Sequence, residues 1–485
     1  MATPNQFTQP QSTDYGGDEV SALVLDPGFA TTRAGFAGED VPKSIVPTYY
    51  GVKNPPGAAA PKLLFGENAM HDPQPYIDVR NPLAGGGAEE WVSDWDAAGK
   101  LWEYAITSRL TGERKRTIRT GSTTQGGAED EEDTEMKDGE NGANGDDADD
   151  EENPMAFHPL LMSEPGKTTS SSRQKAIELV MEGWDIPAFY MAKTGQLAAF
   201  SVGKTTALVV DVGASMVSIT PLMDGMILKK GVKTSPLGGN FISNQIRQMF
   251  ASQPSPVPLV PYYMIESKTP VDAGQPSQAV YKKFAVSPTD SFRAWEEERV
   301  LKGFKESVVQ VYEHGRLSAP AAQGMTNEEA AKSSDPGKTY EMPDGWNQLF
   351  GTERYKVSEG LFDAAGAYSN DENPAPKPEQ TIAKLVEASL LACDQEVRPA
   401  LLNNIVIVGG SSLMQGFVRR FDIEIKALFP GPNVRLSAPS NPVERKFASW
   451  IGGSILSSLG SFHQLWISRK EYDEHGPIIV EKRSK

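Results

Sequence analysis

Two segments of the chain each combine a short apolar run, a tight turn and a second run. In the first, a strand ending at Leu25 precedes a turn over residues 26–28 and a strand over residues 31–36. In the second, apolar positions lead into a turn over residues 211–215 and a strand over residues 216–222. The pattern predicts two similar hairpins, one at the start of each half of the chain.

Two later segments contain helical periodicity. A buried strand, IVIV, ends at Gly409 and Gly410 and leads into a predicted helix. Further on, apolar side chains recur every three or four residues. This spacing predicts an amphipathic helix that contains Phe447, Trp450, Ile451, Ile455, Leu459 and Phe462. Strands mixed with helices indicate an α/β fold whose two halves are built alike.

Polar stretches separate these elements. Proline-rich stretches at residues 253–263, 319–346 and 369–380 predict irregular insertions that are too polar for a core. Residues 1–18 predict a disordered tail. An acidic stretch predicts a disordered insertion over about residues 113–153, because it cannot bury enough apolar surface to offset its ordering entropy.

The formal net charge of −17 is concentrated in that insertion. Residues 129–152 hold 14 acidic side chains and one lysine, so the rest of the chain carries only −4. The part that can fold is therefore nearly neutral, so no basic composition argues for direct sequence-specific reading of DNA.

The chain has one cysteine, Cys393, and five scattered histidines. It can form neither an internal disulfide nor a cysteine-based zinc site, which favours a reducing compartment, and Cys393 is predicted to be a buried small apolar side chain. No apolar run approaches the roughly 18 residues of a membrane span, and the start lacks the layout of a signal peptide. We expect an intracellular protein without a membrane partner.

Each predicted hairpin turn contains an aspartate followed by a glycine two residues later, Asp26 with Gly28 and Asp211 with Gly213. Glycine lets backbone N–H groups approach an anion, and a carboxylate at a strand end can hold a hydrated divalent cation. Either turn alone is better explained as an ordinary hairpin turn that uses Asp and Gly for its shape. Three features accompany them: the pair Gly409 and Gly410, a Leu-Gly-Gly-Asn turn at residues 237–240, and the pair Lys305 and Glu306. Together they predict a nucleotide cleft.

Four longer segments resemble the actin family: RAGFAGEDVPKSIVPTYYG, KTTALVVDVGAS, IVIVGGSSLMQGF and ERKFASWIGGSILSSLGSFHQLWISRKEYDEHGPIIV. The resemblance covers nearly the whole chain except the tail and the insertions. It implies an actin-like (ribonuclease H-like duplicated) α/β fold, in which two lobes surround a cleft for ATP or ADP with Mg²⁺. We expect a first lobe over residues 19–201 and 447–485 and a second lobe over residues 202–446.

Carried over position by position, the resemblance implies a set of nucleotide-binding residues. They are Asp26, Gly28, Arg33, Asp211, Gly213, Gly239, Lys302, Lys305, Glu306, Gly409, Gly410, Ser411, Leu413, Met414 and Lys446. Within this set, Asp26 and Asp211 are expected to hold magnesium through water.

The chain departs from the family where the family carries out hydrolysis. Thr194 stands at the position of the water-orienting glutamine, and Ser218 at that of a second catalytic residue, a histidine. Gln196 lies roughly 200° around the helix from Thr194, so it is a poor substitute. Positioning the attacking water and accepting its proton typically raise the rate of hydrolysis by about 100- to 10,000-fold. We therefore expect ATP binding with hydrolysis absent or very slow, and no catalytic residue.

The phosphate hairpins also differ from the family pattern. Phe29 stands where the family has a serine that contacts the terminal phosphate, and Ala30 stands where the family has a glycine. In the second hairpin, Ala214 and Ser215 replace an aspartate and a glycine. An empty, vestigial cleft is therefore the alternative to a cleft that holds nucleotide as a structural ligand.

In the actin family, a hydrophobic cleft at one end of the first lobe receives helices of partner proteins. The matching positions here are Phe200, Ile455, Leu456 and Leu459. Packing within the core is the competing interpretation, and it is favoured for Ile451 and Phe462. The implied partners are the helicase-associated helix of a chromatin ATPase or acetyltransferase scaffold, and a monomer of actin.

Within the family, the acidic insertion and the departures resemble nuclear members of chromatin-remodelling and histone acetyltransferase complexes. This implies a non-polymerising structural subunit in the nucleus, with roles in transcription regulation and DNA repair. Thr194, Ser218 and an unlike loop at residues 51–62 weigh against the alternative of a filament-forming cytoskeletal ATPase, and the long actin-like ending weighs against a sugar-kinase or heat-shock ATPase. The acidic insertion is either a solvated loop or a contact for histones or nucleosomes.

Overall fold

The computed structural model describes residues 21–85, 90–112, 153–321 and 324–484. The predicted tail over residues 1–18 lies outside these ranges, as does the predicted insertion over about residues 113–153 apart from Asn153. The strands are β1 (Leu23–Pro27), β2 (Thr31–Phe36), β3 (Ser44–Pro47), β4 (Tyr50–Lys53), β5 (Lys62–Leu64), β6 (Ile77–Arg80), β7 (Leu160–Glu164), β8 (Ala188–Lys193), β9 (Ala207–Val212), β10 (Val217–Met223), β11 (Met226–Ile227), β12 (Lys233–Ser235), β13 (Ile265–Ser267), β14 (Val280–Tyr281), β15 (Lys338–Glu341), β16 (Asn347–Phe350), β17 (Ile405–Val408), β18 (Leu436–Ser437) and β19 (Ile467–Ser468). The α-helices are α1 (Glu67–Met70), α2 (Trp95–Ile106), α3 (Ser170–Glu178), α4 (Thr194–Ser201), α5 (Gly239–Ala251), α6 (Asp290–Ser307), α7 (Asn327–Ser334), α8 (Glu353–Glu359), α9 (Ile382–Leu391), α10 (Arg398–Leu402), α11 (Phe417–Leu428), α12 (Pro442–Lys446), α13 (Ala448–Ser457), α14 (Arg469–His475) and α15 (Ile479–Arg483).

The first six-stranded sheet has the order β19-β8-β7-β1-β2-β3. Strands β1, β7 and β8 run parallel, whereas β2, β3 and β19 are antiparallel to their neighbours. Strand β1 pairs with β2 from Leu23 opposite Phe36 to Pro27 opposite Thr32. Every residue of β1 is buried, as expected for a central strand covered on both faces. Asp26 therefore lies at the carboxyl end of a buried strand.

The second sheet has the order β11-β10-β9-β17-β18, and β12 also pairs with β10. Strand β9 corresponds to β1, β10 to β2, and β17 to β7, so the two sheets share one plan. The two predicted hairpins are confirmed. The strands extend further into the turns than predicted, because Asp26 still pairs with Arg33 and Asp211 with Ser218.

Each sheet has its own apolar core. The core around the first sheet includes Leu23 and Trp102, and the core around the second includes Leu208 and Phe304. We call these two bodies the first and second lobes. The predicted α/β class is confirmed, while the exact lobe boundaries stay a prediction. No helix in the described ranges is both long enough and apolar enough to cross a bilayer.

Helix α13 contacts α4, β1 and β7 in the first lobe. The indole Nε1 of Trp450 donates a hydrogen bond to the carbonyl oxygen of Val24, at 3.1 Å. The helix is shorter than predicted, since it ends at Ser457 and a separate 3₁₀ turn contains the buried Phe462. The reason is local: Leu459 has an extended backbone (φ −76°, ψ 126°), which interrupts the helical hydrogen bonds.

The prediction of an irregular, polar insertion over residues 319–346 is wrong. Helix α7 begins in this stretch with a capping box between Thr326 and Glu329, and the β15–β16 hairpin follows. Met342 and Trp346 are buried in the second core. Within residues 253–263, Val260 is likewise buried.

The prediction that Cys393 is a buried small apolar side chain is confirmed. The side chain is buried, and a Cβ on Gly231 would lie 2.7 Å from its Sγ. Burial raises the pKa of the Cys393 thiol, which therefore stays protonated at neutral pH.

Candidate functional site

Asp26 is held in place by two donors at the end of β1. Arg33 Nη1 donates to Asp26 Oδ2 at 2.7 Å, and Ser163 Oγ donates to Asp26 Oδ1 at 2.5 Å. Ser163 comes from β7, the parallel neighbour of β1, so the carboxyl ends of two strands meet here. The aspartate is buried, and its two oxygens are fixed in direction.

Asp211 occupies the equivalent position at the end of β9 in the second sheet. The pKa of Asp211 is raised from 3.8 to about 6, first because burial disfavours the carboxylate and then because of the negative charge of Asp26, while Arg33 acts in the opposite direction. The two strand ends thus bring their carboxylates close enough to repel. A hydrated divalent cation would relieve this repulsion.

The donors available for such a cation fit the water-mediated binding expected from the sequence. Within the described ranges, no group of three or more His, Cys, Asp and Glu side chains is arranged to hold a metal directly. Magnesium keeps several of its waters and typically uses one or two protein carboxylates. Asp26 and Asp211 match that requirement.

Positive side chains converge beside the two carboxylates. The pKa of Lys446 is lowered by burial, then by the charges of Lys302 and Arg33, with Glu306 opposing the change. The centre of the Phe447 ring lies 5.1 Å from the Arg33 guanidinium and 5.5 Å from Lys446 Nζ, so one aromatic ring contacts both cations.

One nitrogen of this cation group lacks a partner. The Nε atom of Arg33 is buried and has no hydrogen-bond partner among the described residues. A buried donor without a partner is costly, and an anion beside neighbouring positive charges favours their charged forms. The chemistry of the donor set therefore fits a polyphosphate.

Lys305 connects α6 to the start of α5. Its Nζ donates to the carbonyl oxygen of Gly239 at 2.8 Å and to Ser243 Oγ at 2.7 Å. Burial lowers the pKa of Lys305, while Glu298 and Glu306 raise it. This contact orients the end of α6 that also contains Lys302 and Glu306.

Glycines let three backbone segments approach one another in the second lobe. A Cβ on Gly409, which has φ 91°, would lie 2.4 Å from Asp211 Oδ1. The N–H of Gly239 donates to Gly213 O at 3.0 Å, and Ser411 Oγ donates to the same oxygen at 2.9 Å. The second hairpin, the start of α5 and the turn after β17 therefore form one surface.

The remaining predicted residues lie on the borders of this surface. Gly410 and Leu413 belong to a 3₁₀ turn after β17, and Met414 follows it and packs against the second core. Gly28 lies in the first turn, where a Cβ would be 2.7 Å from Thr31 O.

Sequence reasoning missed three residues of the site: Ser163, Ser243 and Phe447. Ser163 follows from the parallel pairing of β7 with β1, which is known only once the sheet order is known. Phe447 had a sequence signal, since it directly follows Lys446, but the pattern assigned it to the apolar face of a helix.

The overall sequence decides the family. The sequence model of the family described as Actin matches residues 17–485. The chain belongs to the actin family. It is 51% identical over 487 residues to Actin-related protein 4 of Emericella nidulans, with 99% of this chain and 100% of that relative covered.

Two further relatives match this actin-family chain over their whole length. Actin-related protein 4 of Gibberella zeae is 46% identical over 489 residues, with 100% of both chains covered. The SWI/SNF and RSC complexes subunit arp42 of Schizosaccharomyces pombe is 32% identical over 482 residues, with 96% of this chain and 100% of that relative covered. The expected actin-like fold is thereby confirmed.

The two positions at which the chain departs from the family's hydrolysis residues, Thr194 and Ser218, lie in α4 and in the second hairpin. Thr194 is the first residue of α4, and its carbonyl oxygen accepts a hydrogen bond from Ser449 Oγ at 3.3 Å. Ser218 lies opposite Asp211 in the second hairpin. The Gln196 side chain donates to the carbonyl oxygen of Gly225 at 2.9 Å, in the β10–β11 turn, so its amide is already engaged there.

In the first hairpin, the backbone around Phe29 is held from two sides. Asn81 Nδ2 donates to Phe29 O at 2.9 Å, and Thr48 Oγ1 donates to Gly28 O at 2.6 Å. The side chain of Phe29 is partly exposed. These bonds fix the hairpin although the family's serine is missing.

The expected partner surface of this actin-family chain lies at the end of α4 and α13. Ile455 is 41% exposed and Leu459 is 48% exposed, whereas Phe200 and Leu456 are partly buried. Phe462 is buried, as the interpretation that it packs within the core predicts. The two exposed side chains are available to a partner helix.

Proposed function

We propose that this chain is a non-polymerising, actin-related structural subunit of nuclear chromatin-remodelling complexes. The supporting observation is its similarity, over 96% of its length, to a protein named as a subunit of the SWI/SNF and RSC complexes. A subunit that resembles another from end to end can occupy the same kind of place in an assembly. The proposal includes histone acetyltransferase complexes and roles in transcription regulation and DNA repair.

In this role, ATP or ADP with Mg²⁺ is a structural ligand. Asp26 and Asp211 would hold the metal through water, and Arg33, Lys302 and Lys446 would face the phosphates. A bound nucleotide would supply further negative charge beside these cations, of which Arg33 already pairs with Asp26. A ligand present at about 1000 times its dissociation constant stabilises the folded state by about 4 kcal/mol.

Hydrolysis is absent or very slow in this proposal. Thr194 and Ser218 offer neither the amide that orients water nor the imidazole that accepts its proton, and the Gln196 amide is bonded to Gly225. The chain's own residues therefore bind and orient the nucleotide without attacking it.

The nucleotide content of gently purified protein tests the ligand. We expect close to one adenine nucleotide per chain after acid release and anion-exchange chromatography. Lys446→Met should lose most of it, because it removes a charge and keeps the apolar stem, whereas Lys426→Met on the exposed face of α11 should not. Protein without nucleotide, and without thermal stabilisation by Mg-ATP, would show that the cleft is vestigial.

The partner surface requires a separate test. We expect the chain to bind the helicase-associated helix of a chromatin ATPase beside monomeric actin through Ile455 and Leu459. Leu459→Asp should abolish co-purification with that helix, whereas Leu391→Asp, at a 61% exposed position on α9, should not. Equal retention of the helix by both variants would place the partner elsewhere.

Polymerisation separates this proposal from a cytoskeletal ATPase. We expect the protein to remain in the supernatant after high-speed centrifugation with magnesium and ATP, and to release phosphate far more slowly than filamentous actin does. Sedimentation as filaments would refute the proposal.

A further inference from the structure

A pocket of about 310 Å³ lies in the second lobe and shares no lining residue with the candidate nucleotide site. This volume is at the lower end of the roughly 300 to 1,000 Å³ of ligand pockets. The walls come from the segment after α6, the end of α7, the start of α8 and the turn before α11. The lining includes Tyr312, Glu313, His314, Asp335, Tyr355 and Gln415. We call it the aromatic pocket.

Three rings form adjoining walls of the aromatic pocket. The ring centres of Tyr312 and Tyr355 lie 5.5 Å apart, with 72° between the ring planes. The ring centres of Tyr312 and His314 lie 5.4 Å apart, with 70° between the planes. Rings at such angles meet edge to face, so they line a recess instead of stacking into a flat layer. His314 is exposed and Tyr312 partly so, and the recess is therefore open to solvent.

Hydrogen bonds hold the segment that contains Tyr312. The N–H of Val311 donates to Gln415 O at 2.8 Å, and Arg420 Nη1 donates to Tyr312 O at 3.3 Å. Arg420 is itself fully buried. The central ring of the pocket therefore stands on a fixed backbone, which lowers the entropic cost of binding a ligand.

The charges of the aromatic pocket favour a positively charged ligand. Among the described residues that line it, Glu313 and Asp335 are acidic and none is lysine or arginine. Glu313 Oε2 lies 3.8 Å from Arg419 Nε, and this exposed ion pair is worth little. The Glu313 carboxylate is therefore available to a ligand.

The buried Arg354, beside Tyr355, is already engaged and leaves no site for an anion. Its Nε donates to Gln310 Oε1 at 2.9 Å, its Nη1 donates to Phe350 O at 3.0 Å, and its Nη2 bonds the Asp335 carboxylate. The guanidinium carbon also lies 4.6 Å from the centre of the Tyr355 ring. One ring of the pocket thus already contacts a cation.

Asp335 retains an acceptor for a ligand N–H group. The Tyr355 hydroxyl donates to Asp335 Oδ2 at 2.5 Å, while Oδ1 accepts from the N–H of Gly337 at 3.1 Å. A carboxylate oxygen has about two acceptor sites, so Oδ1 can accept a further bond.

We propose that the aromatic pocket binds a methylated ammonium group, presented as the side chain of a methylated lysine by a partner protein. The ring faces attract a cation whose methyl groups leave it few hydrogen bonds to make, and the Glu313 carboxylate adds charge attraction. Choline has the same head group as trimethyl-lysine, so competition with choline distinguishes a small molecule from a protein side chain. This site does not depend on the nucleotide.

Fluorescence anisotropy of a labelled peptide tests the ligand class. The full chain is titrated into a fluorescein-labelled peptide of glycine and serine with one central trimethyl-lysine. We expect saturable binding, and at least about 10-fold weaker binding of the same peptide with the neutral carbon analogue, in which carbon replaces the charged nitrogen. Equal affinity for the two peptides, or no binding of either, would overturn the proposal.

Competition identifies the source of the ammonium group. Choline should displace the peptide only at concentrations at least about 10-fold above the peptide's dissociation constant, because it lacks the contacts of a peptide chain. Displacement by choline at or below that constant would overturn the protein side chain as the ligand.

Variants locate the binding site on the chain. Tyr312→Leu should weaken binding of the trimethyl-lysine peptide at least about 5-fold, whereas Tyr312→Phe, which keeps the ring, should stay within about 2-fold of wild type. Tyr281→Leu is the control, since Tyr281 is a 42% exposed tyrosine on β14, outside the pocket. Equal affinities of Tyr312→Leu and Tyr281→Leu would place the peptide elsewhere and overturn the proposal.

A charge variant gives an independent measurement at a partly exposed position. Glu313→Gln keeps the shape of the side chain and should weaken binding at least about 2-fold in 20 mM salt, with a smaller loss in 500 mM salt because salt screens the charge. An unchanged affinity in 20 mM salt would refute the role of this carboxylate in the pocket.

Discussion

The closest approach between α4 and α13 leads to a specific prediction for Gly452→Ala. A Cβ on Gly452 would lie 1.8 Å from the carbonyl oxygen of Leu197 and 2.5 Å from its carbonyl carbon. The two backbones must therefore separate by more than about 1 Å, and overpacking of this kind costs about 1 to 3 kcal/mol.

The helix propensity of alanine acts in the opposite direction. Replacing a glycine inside a helix with alanine contributes about 1 kcal/mol to the free energy of unfolding. The clash is larger, because the obstacle is backbone rather than the end of a flexible side chain, and the separation also loosens the buried Trp450. Because the obstacle is backbone, we place the clash at the upper end of that range, about 3 kcal/mol, and expect a net loss of about 2 kcal/mol in the free energy of unfolding.

Urea unfolding followed by tryptophan fluorescence measures this loss. Gly460→Ala is the control, since a Cβ at that position meets no atom within 4 Å. Its stability should stay within about 0.5 kcal/mol of wild type. If the two variants unfold at the same urea concentration, the two helices do not cross at Gly452 as closely as the structure has them.

Three further predictions concern Asp335, Cys393 and Trp450. Burial opposes ionisation of Asp335, but hydrogen bonds, the strongest from Arg354, hold the pKa of that carboxyl at about 2. Because this lies below the ordinary 3.8, its contribution is complete above pH 3.8 and is lost as the pH falls through about 2, so Asp335→Asn should lower the free energy of unfolding by about 1 to 2 kcal/mol equally at pH 5 and pH 7. A difference in the free energy of unfolding between wild type and Asp335→Asn that changes from pH 5 to pH 7 would contradict this. Cys393 should resist a thiol reagent at pH 7.5 until urea unfolds the chain, and rapid native labelling would show that it is accessible. Trp450→Phe, which removes the indole hydrogen bond to Val24, should cost about 2 kcal/mol by the same urea assay, and an unchanged midpoint would be the contrary result.

The sequence predicts well what depends on neighbours along the chain. Both hairpins follow from apolar runs interrupted by Asp-x-Gly turns, and these turns also placed Asp26 and Asp211 at strand ends. The sequence also contains the capping box of α7, Thr326 followed three residues later by Glu329, but the surrounding Pro, Gly and Ser residues favoured the prediction of an irregular loop.

What depends on distant segments could not be predicted. Ser163 reaches Asp26 only because β7 lies beside β1, and Gly452 meets Leu197 only because α13 crosses α4. Ile77 and Phe292 meet in one buried cluster although more than two hundred residues separate them in the sequence. Periodicity within a window of 11 to 18 residues carries no information on such pairs.

The order of strands has a consequence for how the chain folds during its synthesis. The second sheet uses only residues 207–437, whereas the first sheet needs β19, which pairs with β8. At roughly 5 to 20 residues per second, the ribosome takes roughly 15 to 55 s to reach β19 after β8 has been made. The half of the protein that emerges later can therefore complete its sheet earlier. Until β19 and α13 arrive, the edge of β8 is unpaired and one apolar side of β1 and β7 is uncovered, so this intermediate offers a strand edge to which another chain can pair.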